Sequence, residues 1–259
     1  SYRIINMQIT SVPCLSDNYA YIVINNNSKT VGVIDPSESL PIISFLNKKN
    51  LKLNYILNTH HHFDHIGGNL ELKKLYNAKV VGFAGDKHRI PGIDITLKDN
   101  DKWNFENLEV KILHIPGHTL GHICFFFEKE KVAFTGDTLF SLGCGRIFEG
   151  NHNQMLKSLS RIKKLPMDTK IYCGHEYTYK NAEFCMKYDR NNVDLKKKFD
   201  EVKKLRSNNL PTIPSSLEDE LKTNIFLRCN QNDLKAKLNM KNQEDSKVFK
   251  MVRDLKDSF

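Results

Sequence analysis

The sequence predicts an α/β fold in stacked layers up to about residue 175, followed by a small all-helical domain over 176–259. Two observations carry this reading. Short apolar runs of strand character alternate with segments of helical periodicity through the first part. After Glu176 the strand-like runs stop and Lys-rich amphipathic segments take over.

At 259 residues the chain can bury a sizeable core, as one large domain or as a main domain with a smaller one. A hydrophobic content of 40% with 27% charged residues is a globular composition and excludes gross disorder. No apolar run approaches the roughly 20 residues needed to span a bilayer, and the start, Ser1 to Asn6, lacks the apolar stretch of a secretory signal. The net charge of +9 is spread over both parts, without a recognised nucleic-acid motif. Such a surface attracts a small anionic substrate rather than a nucleic acid or a membrane. Six cysteines (Cys14, Cys124, Cys144, Cys173, Cys185 and Cys229) form no C-x-x-C pair, so they read as reduced packing residues of a cytoplasmic protein. An organelle leader removed from the N-terminus stays open.

In chain order, residues 19–25 and 31–34 read as strands around the polar turn Asn25–Ser28, the second ended by Asp35-Pro36. Apolar positions 42, 43 and 46 suggest a short helix before a strand at 55–57. Leu70, Leu72 and Leu75 mark another helix, followed by a strand at 79–83. Further strands are expected at 109–115, 122–127, 131–135 and 171–173, with a helix carried by Met155, Leu156, Leu159, Ile162 and Leu165. In the last part, Leu195, Phe199, Val202 and Leu205 form the apolar stripe of a helix whose Lys-rich face is solvated. A loop at 208–214 precedes a capping box from Ser215 to Glu218, and the remainder reads as helical.

One stretch stands apart chemically. Thr59-His60-His61-His62-Phe63-Asp64-His65 holds five potential metal ligands in seven residues, directly after the 55–57 strand and before Gly67-Gly68. In a loop past a strand, His60 and His62 can turn to one side while Asp64 and His65 serve another. One metal would leave good ligands idle; two adjacent metals use them all. More candidates stand at strand ends: His118 in Pro116-Gly117-His118-Thr119, Asp137 in Thr135-Gly136-Asp137-Thr138, and His175 in Cys173-Gly174-His175-Glu176. Singly each is commonplace, but in combination with the first motif they are highly specific. No G-x-S-x-G elbow signposts an activated serine.

These motifs, T-H-x-H-x-D-H, G-H-T-x-G-H, T-G-D-T-L-F and C-G-H-E-Y, resemble those of metallo-β-lactamase-fold hydrolases. Within them the chain resembles the glyoxalase II (hydroxyacylglutathione hydrolase) family, from about Met7 to Phe259. The resemblance includes Asp17-Asn18-Tyr19 and Gly143-Cys144-Gly145-Arg146. It implies an αββα sandwich over 1–175 as the catalytic domain and a helical substrate-binding domain over 176–259. It also implies two divalent metals, most simply zinc with iron or manganese as alternatives. His60, His62 and His118 would hold the first, Asp64, His65 and His175 the second, and Asp137 would bridge them. His61, His114 and His122 are not ligands in that pattern.

The implied reaction is hydrolysis of S-D-lactoylglutathione and other S-(2-hydroxyacyl)glutathiones to D-lactate and glutathione, the second step of methylglyoxal detoxification. A hydroxide bridging the two metals would attack the thioester carbonyl, with Asp64 and Asp137 as its catalytic carboxylates. Arg146, Phe148, Tyr177, Arg253 and Lys256 match the family's glutathione-binding positions. Phe148 stands where a tyrosine is frequent, which removes one hydroxyl from the site. The protein is expected to act as a monomer. A nuclease of the same fold, a one-iron persulfide dioxygenase and an inactive binding scaffold are the rival readings. They fit the full ligand set and the long helical tail less well.

Overall fold

The computed structural model describes residues 2–3 and 6–259; Ser1, Ile4 and Ile5 of the N-terminal stretch lie outside the described residues. The chain forms two compact units, Ser1–His114 with Gly121–Gly136, and Ile115–Leu120 with Asp137–Phe259.

In the first unit one sheet runs in sequence order through β1 (Tyr2–Arg3), β2 (Met7–Cys14), β3 (Asn18–Asn25), β4 (Val31–Ile34), β5 (Tyr55–Leu57), β6 (Lys79–Phe83) and β7 (Ile93–Leu97). Pairing is antiparallel as far as β4 and parallel from β4 to β7. The change of direction follows from the connections. A turn joins β3 to β4, whereas α1 (Ser39–Lys48) separates β4 from β5, and α2 (Phe63–Ile66) with α3 (Asn69–Tyr76) separates β5 from β6. One face of this sheet and the helices α1 and α3 share a core of Val33, Ile56, Val80, Ile42, Leu46 and Leu72.

Four further strands, β8 (Lys102–Phe105), β9 (Leu108–His114), β10 (Ile123–Phe127) and β11 (Val132–Gly136), pair antiparallel in order within the same unit. They cover the other face of the first sheet. Tyr21 of β3 meets Phe134 of β11 at 5.6 Å between ring centroids, and Tyr55 of β5 meets Phe105 of β8 at 5.8 Å. Gly32 of β4 lets this happen, because a Cβ there would lie 3.2 Å from the Phe105 ring. All five residues of β10 are buried, as its continuous apolar run implies.

The second unit contains the hairpin β12 (Leu139–Phe140) and β13 (Gly143–Cys144), then α4 (His152–Lys163), β14 (Lys170–Cys173), α5 (Thr178–Asp189) and α6 (Val193–Ser207). It continues with β15 (Ser215–Ser216), α7 (Leu217–Thr223), α8 (Asn232–Lys237) and α9 (Asp245–Asp257). Phe226 links Phe184 and Phe249 at ring-centroid distances of 6.0 and 6.1 Å, an aromatic core of this unit's own. Asn151 and Gln154 close a reciprocal capping box at the start of α4.

Some local expectations are corrected. The cap of α7 is Ser216, whose side chain accepts from Asp219 N, not Ser215. Ser215 is paired with Ile171 in the β14–β15 ladder, so the following residue is the first able to turn into the helix. His122 lies just before β10 rather than in it. Lys198 on α6 is not part of a solvated face, since its ammonium is 2.8 Å from the fully buried Glu220 carboxylate. Strands β2, β7 and β8 were not anticipated; β7 and β8 alternate in burial and lack a continuous apolar run.

All six cysteines are buried and free. Burial pushes the Cys14 thiol up to about 11 and those of Cys173 and Cys185 to about 12. No helix among the described residues is long and apolar enough to cross a membrane.

Truncating Phe105→Ala removes the ring that joins β8 to β4 and β5. We expect a loss of about 3–5 kcal/mol, measured as a lower urea midpoint with an unchanged denaturant slope.

Candidate metal centre

In the first unit β5 is a three-residue central strand, and the chain leaves it as Asn58-Thr59-His60. Asn58 fixes the exit. Its backbone N–H donates to Val81 O, and its side-chain amide donates to His65 O and to Asn69 Oδ1. The loop then runs into α2, and Gly67 at the C-terminal cap of that helix lets it end against the segment after β4: a Cβ there would fall 2.1 Å from Ser37 O.

Asp35, at the end of β4, organises the ligands from behind. It is buried, and its two oxygens accept from Thr59 N at 2.8 Å and Thr59 Oγ1 at 2.6 Å. Its Oδ2 also lies 2.9 Å from His65 Nδ1. A carboxylate accepts, so His65 carries its proton on Nδ1 and turns a bare Nε2 outward. Thr59 relays the same constraint. Its hydroxyl proton goes to Asp35, so its oxygen accepts from His60 Nδ1 at 3.0 Å and leaves His60 Nε2 bare. Asn18 Nδ2 donates to Asp64 Oδ2 at 3.0 Å and to Asp64 O at 3.2 Å. The Asp64 Oδ2 atom stands 3.3 Å from His65 Nε2.

The donors fall into pairs. His60 and His62 have ring centroids 4.9 Å apart and offer ligand atoms within 4.8 Å of one another, as do Asp64 and His65. Asp35, His60 and His65 also satisfy that distance. With its oxygens on Thr59 and the His65 Nδ1–H, however, Asp35 orients ligands rather than acting as one.

The second unit carries the remaining candidates. His118 lies in the turn after β9, where Gly117 has φ +150° and receives the Gly150 N–H on its carbonyl. His118 Nδ1 donates to Arg146 O at 2.6 Å, so its Nε2 is again the bare nitrogen. Asp137 follows β11 and directs Oδ2 at two imidazoles, 3.5 Å from His118 Nε2 and 3.1 Å from His175 Nε2. Tyr177 stacks on the His175 ring at 4.5 Å with an interplanar angle of 4°. Phe148, exposed, stands edge-on to His118 at 5.3 Å.

The three predicted cations meet in this unit. Arg146, exposed on its loop, and Arg253, only 3% exposed, both approach Asp257 Oδ1, at 3.4 and 3.0 Å. Arg253 Nη1 donates to Cys144 O, and its guanidinium lies over the Phe226 ring. Half-burial, then the neighbouring Arg253 and Arg146 charges, hold the Lys256 ammonium below its usual range. Two guanidiniums thus share one carboxylate, next to Lys256.

The other histidines have neighbours of their own. His61 Nδ1 is 3.8 Å from Asp86, which Arg89 clamps with two nitrogens. His122 is fully buried and stacks on His60, and His114 stacks on Phe83. Sequence reading missed Asp35 and Asn18 as ligand-orienting groups. Asp35 was read only as the end of a strand, although Asp137 follows β11 in the same way. Each unit by itself carries imidazole nitrogens and carboxylate oxygens, donor types that suit first-row divalent metals.

Comparison with known proteins agrees with this chemistry. Residues 16–175 match the family model of the metallo-beta-lactamase superfamily, and residues 176–259 match that of the hydroxyacylglutathione hydrolase C-terminus. The chain therefore has the metallo-β-lactamase fold, with mixed α/β sheets and a helical C-terminal region. The hydroxyacylglutathione hydrolase of Pelagibacter ubique is 53% identical over 98% of this chain and 100% of its own length. That of Methylococcus capsulatus is 43% identical over 98% and 99%. Among solved structures, the BLEG-1 B3 metallo-beta-lactamase aligns with TM-score 0.66 at 22% identity, over 85% of this chain and 99% of its own. ETHE1 from Myxococcus xanthus aligns with the same score and identity over 96% and 98%. The fold and donor set define a metallohydrolase of the metallo-β-lactamase superfamily. Within it, the chain belongs to the hydroxyacylglutathione hydrolase family.

Replacing Asp35 by Asn keeps its shape but removes the charge that holds the Nδ1 proton of His65. Metal affinity should fall by about 10- to 100-fold, read by competition with a chromophoric chelator.

Proposed function

We propose that the protein hydrolyses S-D-lactoylglutathione, and related S-(2-hydroxyacyl)glutathiones, to the 2-hydroxy acid and glutathione. This would be the second step of methylglyoxal detoxification. Water adds across the thioester C–S bond: its oxygen goes to the acyl carbon and a proton to the sulfur. In this reading His60, His62 and His118 hold one divalent metal, and Asp64, His65 and His175 a second. Asp137 bridges them, and zinc is the ion that best suits the set. Bound there, the metals lower the pKa of a water and polarise the carbonyl.

The chain's own residues do the rest. Asp35, Thr59 and the Arg146 carbonyl fix the tautomers of three imidazoles, so the bare nitrogens need no reorganisation. Asp64 and Asp137 supply the negative charge that balances the metals. The observation that carries the substrate class is the cation cluster. Arg146 and Lys256 suit the two carboxylates of a glutathione moiety. Arg253 contributes its Nε–H, a buried donor without a partner among the described residues. Tyr177 and Phe148 present partly exposed rings beside His175 and His118, as walls for the peptide and acyl parts. Buried reduced thiols support work in the cytoplasm.

Zinc-loaded protein should hydrolyse S-D-lactoylglutathione with saturation kinetics, followed as loss of thioester absorbance, and a chelator should abolish the rate. Failure of the fully metallated protein to turn over would overturn the reading. Asp137→Ala should lose both metals and the activity together; full activity with two metals retained would remove its bridging role. Lys256→Ala should raise KM by about tenfold, the value of one charge-assisted hydrogen bond, with kcat changed far less.

A further inference from the structure

Beside the short β12–β13 ladder, side chains from α5, α7 and α9 and the segments next to them hold the backbone groups of the loop Phe140–Cys144. Asn224 Nδ2 donates to Phe140 O at 3.2 Å and to Gly143 O at 3.1 Å, Asn181 Nδ2 to Ser141 O at 3.1 Å, and Cys185 Sγ to Leu142 O at 3.3 Å. Arg253 takes Cys144 O. At the centre stands Glu220, fully buried, whose carboxylate accepts from Leu142 N at 2.8 Å and Ser141 Oγ at 3.0 Å. It also accepts from Asn224 Nδ2 at 3.1 Å and Lys198 Nζ at 2.8 Å. Leu142 has φ +59°, a left-handed conformation that a leucine does not keep unaided.

This loop continues directly into the metal half-site. Gly145 N donates to Thr138 O, next to Asp137, and Arg146 O is the acceptor that fixes His118 Nδ1. A Cβ on Gly145 would lie 1.8 Å from Asp137 O, so the backbone passes with no slack. Burial alone would raise the Glu220 pKa, but the Lys198 charge and the donors around it outweigh that and lower it. The carboxylate is therefore ionised at neutral pH, and four donors converge on a full negative charge.

We propose that Glu220 is a positioning residue of the metal centre, acting through the Phe140–Arg146 loop on the imidazole of His118. It touches neither metal nor substrate. Its ionised carboxylate holds Leu142 in its left-handed conformation and so sets where the Arg146 carbonyl stands. That carbonyl decides whether His118 Nε2 points to the ligand position. The inference rests on the proposed ligand set, and metal binding tests it separately from turnover.

The test uses full-length protein. Zinc affinities at the two sites are measured by chelator competition in the wild type, Glu220→Gln and Asp189→Asn. Asp189 is a control: a fully buried carboxylate of the same unit, bound to Arg228 and Lys237 rather than to the loop. Glu220→Gln should weaken one zinc affinity by about tenfold or more, leave the other within about twofold, and raise KM more than it lowers kcat. Asp189→Asn should lower thermal stability with both affinities unchanged. Should Glu220→Gln fail to fold, Ser141→Ala, which removes one of the loop bonds alone, should still weaken the same site by about threefold, a smaller share of the same effect.

Two zinc affinities in Glu220→Gln equal to the wild type would overturn the proposal, as would equal weakening in Asp189→Asn. A wild type that binds fewer than two zinc ions would instead overturn the ligand set on which the inference stands.

Discussion

Three imidazoles of the candidate site are tied through Nδ1 to a protein oxygen. Thr59 Oγ1 does this for His60, Asp35 for His65 and the Arg146 carbonyl for His118. A neutral imidazole has one lone pair to give, so each of these bonds decides which nitrogen faces a metal. Much of the surrounding architecture serves to put those three oxygens where they are. Asp35 needs the end of β4 and a left-handed backbone at φ +52°; Thr59 needs the exit of β5; the Arg146 carbonyl needs a loop with glycine at 143 and 145.

The second unit solves the harder of these problems. An oxygen on a strand end inherits its position from a hydrogen-bonded ladder, whereas the Arg146 carbonyl sits in a loop with little ladder of its own. The helices around it supply the missing partners one side chain at a time. Under the proposal made for Glu220, that arrangement would give the helical region a structural bearing on the metal centre, in addition to the cations it carries on α9.

The sequence was most readable where one signal dominated. β5 and β6 fall where strands were read at 55–57 and 79–83, because the middle of a parallel strand covered on both faces admits no polar interruption. β7 and β8 were invisible because they alternate, half exposed, and short alternation is easily taken for loop. The same holds in the metal centre. Seven His and Asp donors stand out by type and spacing, but the groups that orient them are ordinary in sequence. Asp35 before a proline reads as a strand terminator, and Glu220 as one of three acidic residues in a row. Only burial and three-dimensional neighbours separate Glu220, wholly enclosed, from Glu218 on the surface. Arg253 shows the reverse. Its position on an amphipathic terminal helix reads as surface, yet the Cys144 carbonyl and Phe226 ring enclose it.

The six enclosed cysteines have a consequence of a different kind. In the function proposed above, the chain would release a mobile thiol and would meet its disulfide. Mixed-disulfide formation requires a thiolate that can reach its partner. Here every sulfur is shut away, and burial keeps Cys14, Cys173 and Cys185 protonated at any cellular pH. Burial thereby withholds all six thiols from exchange with a soluble disulfide.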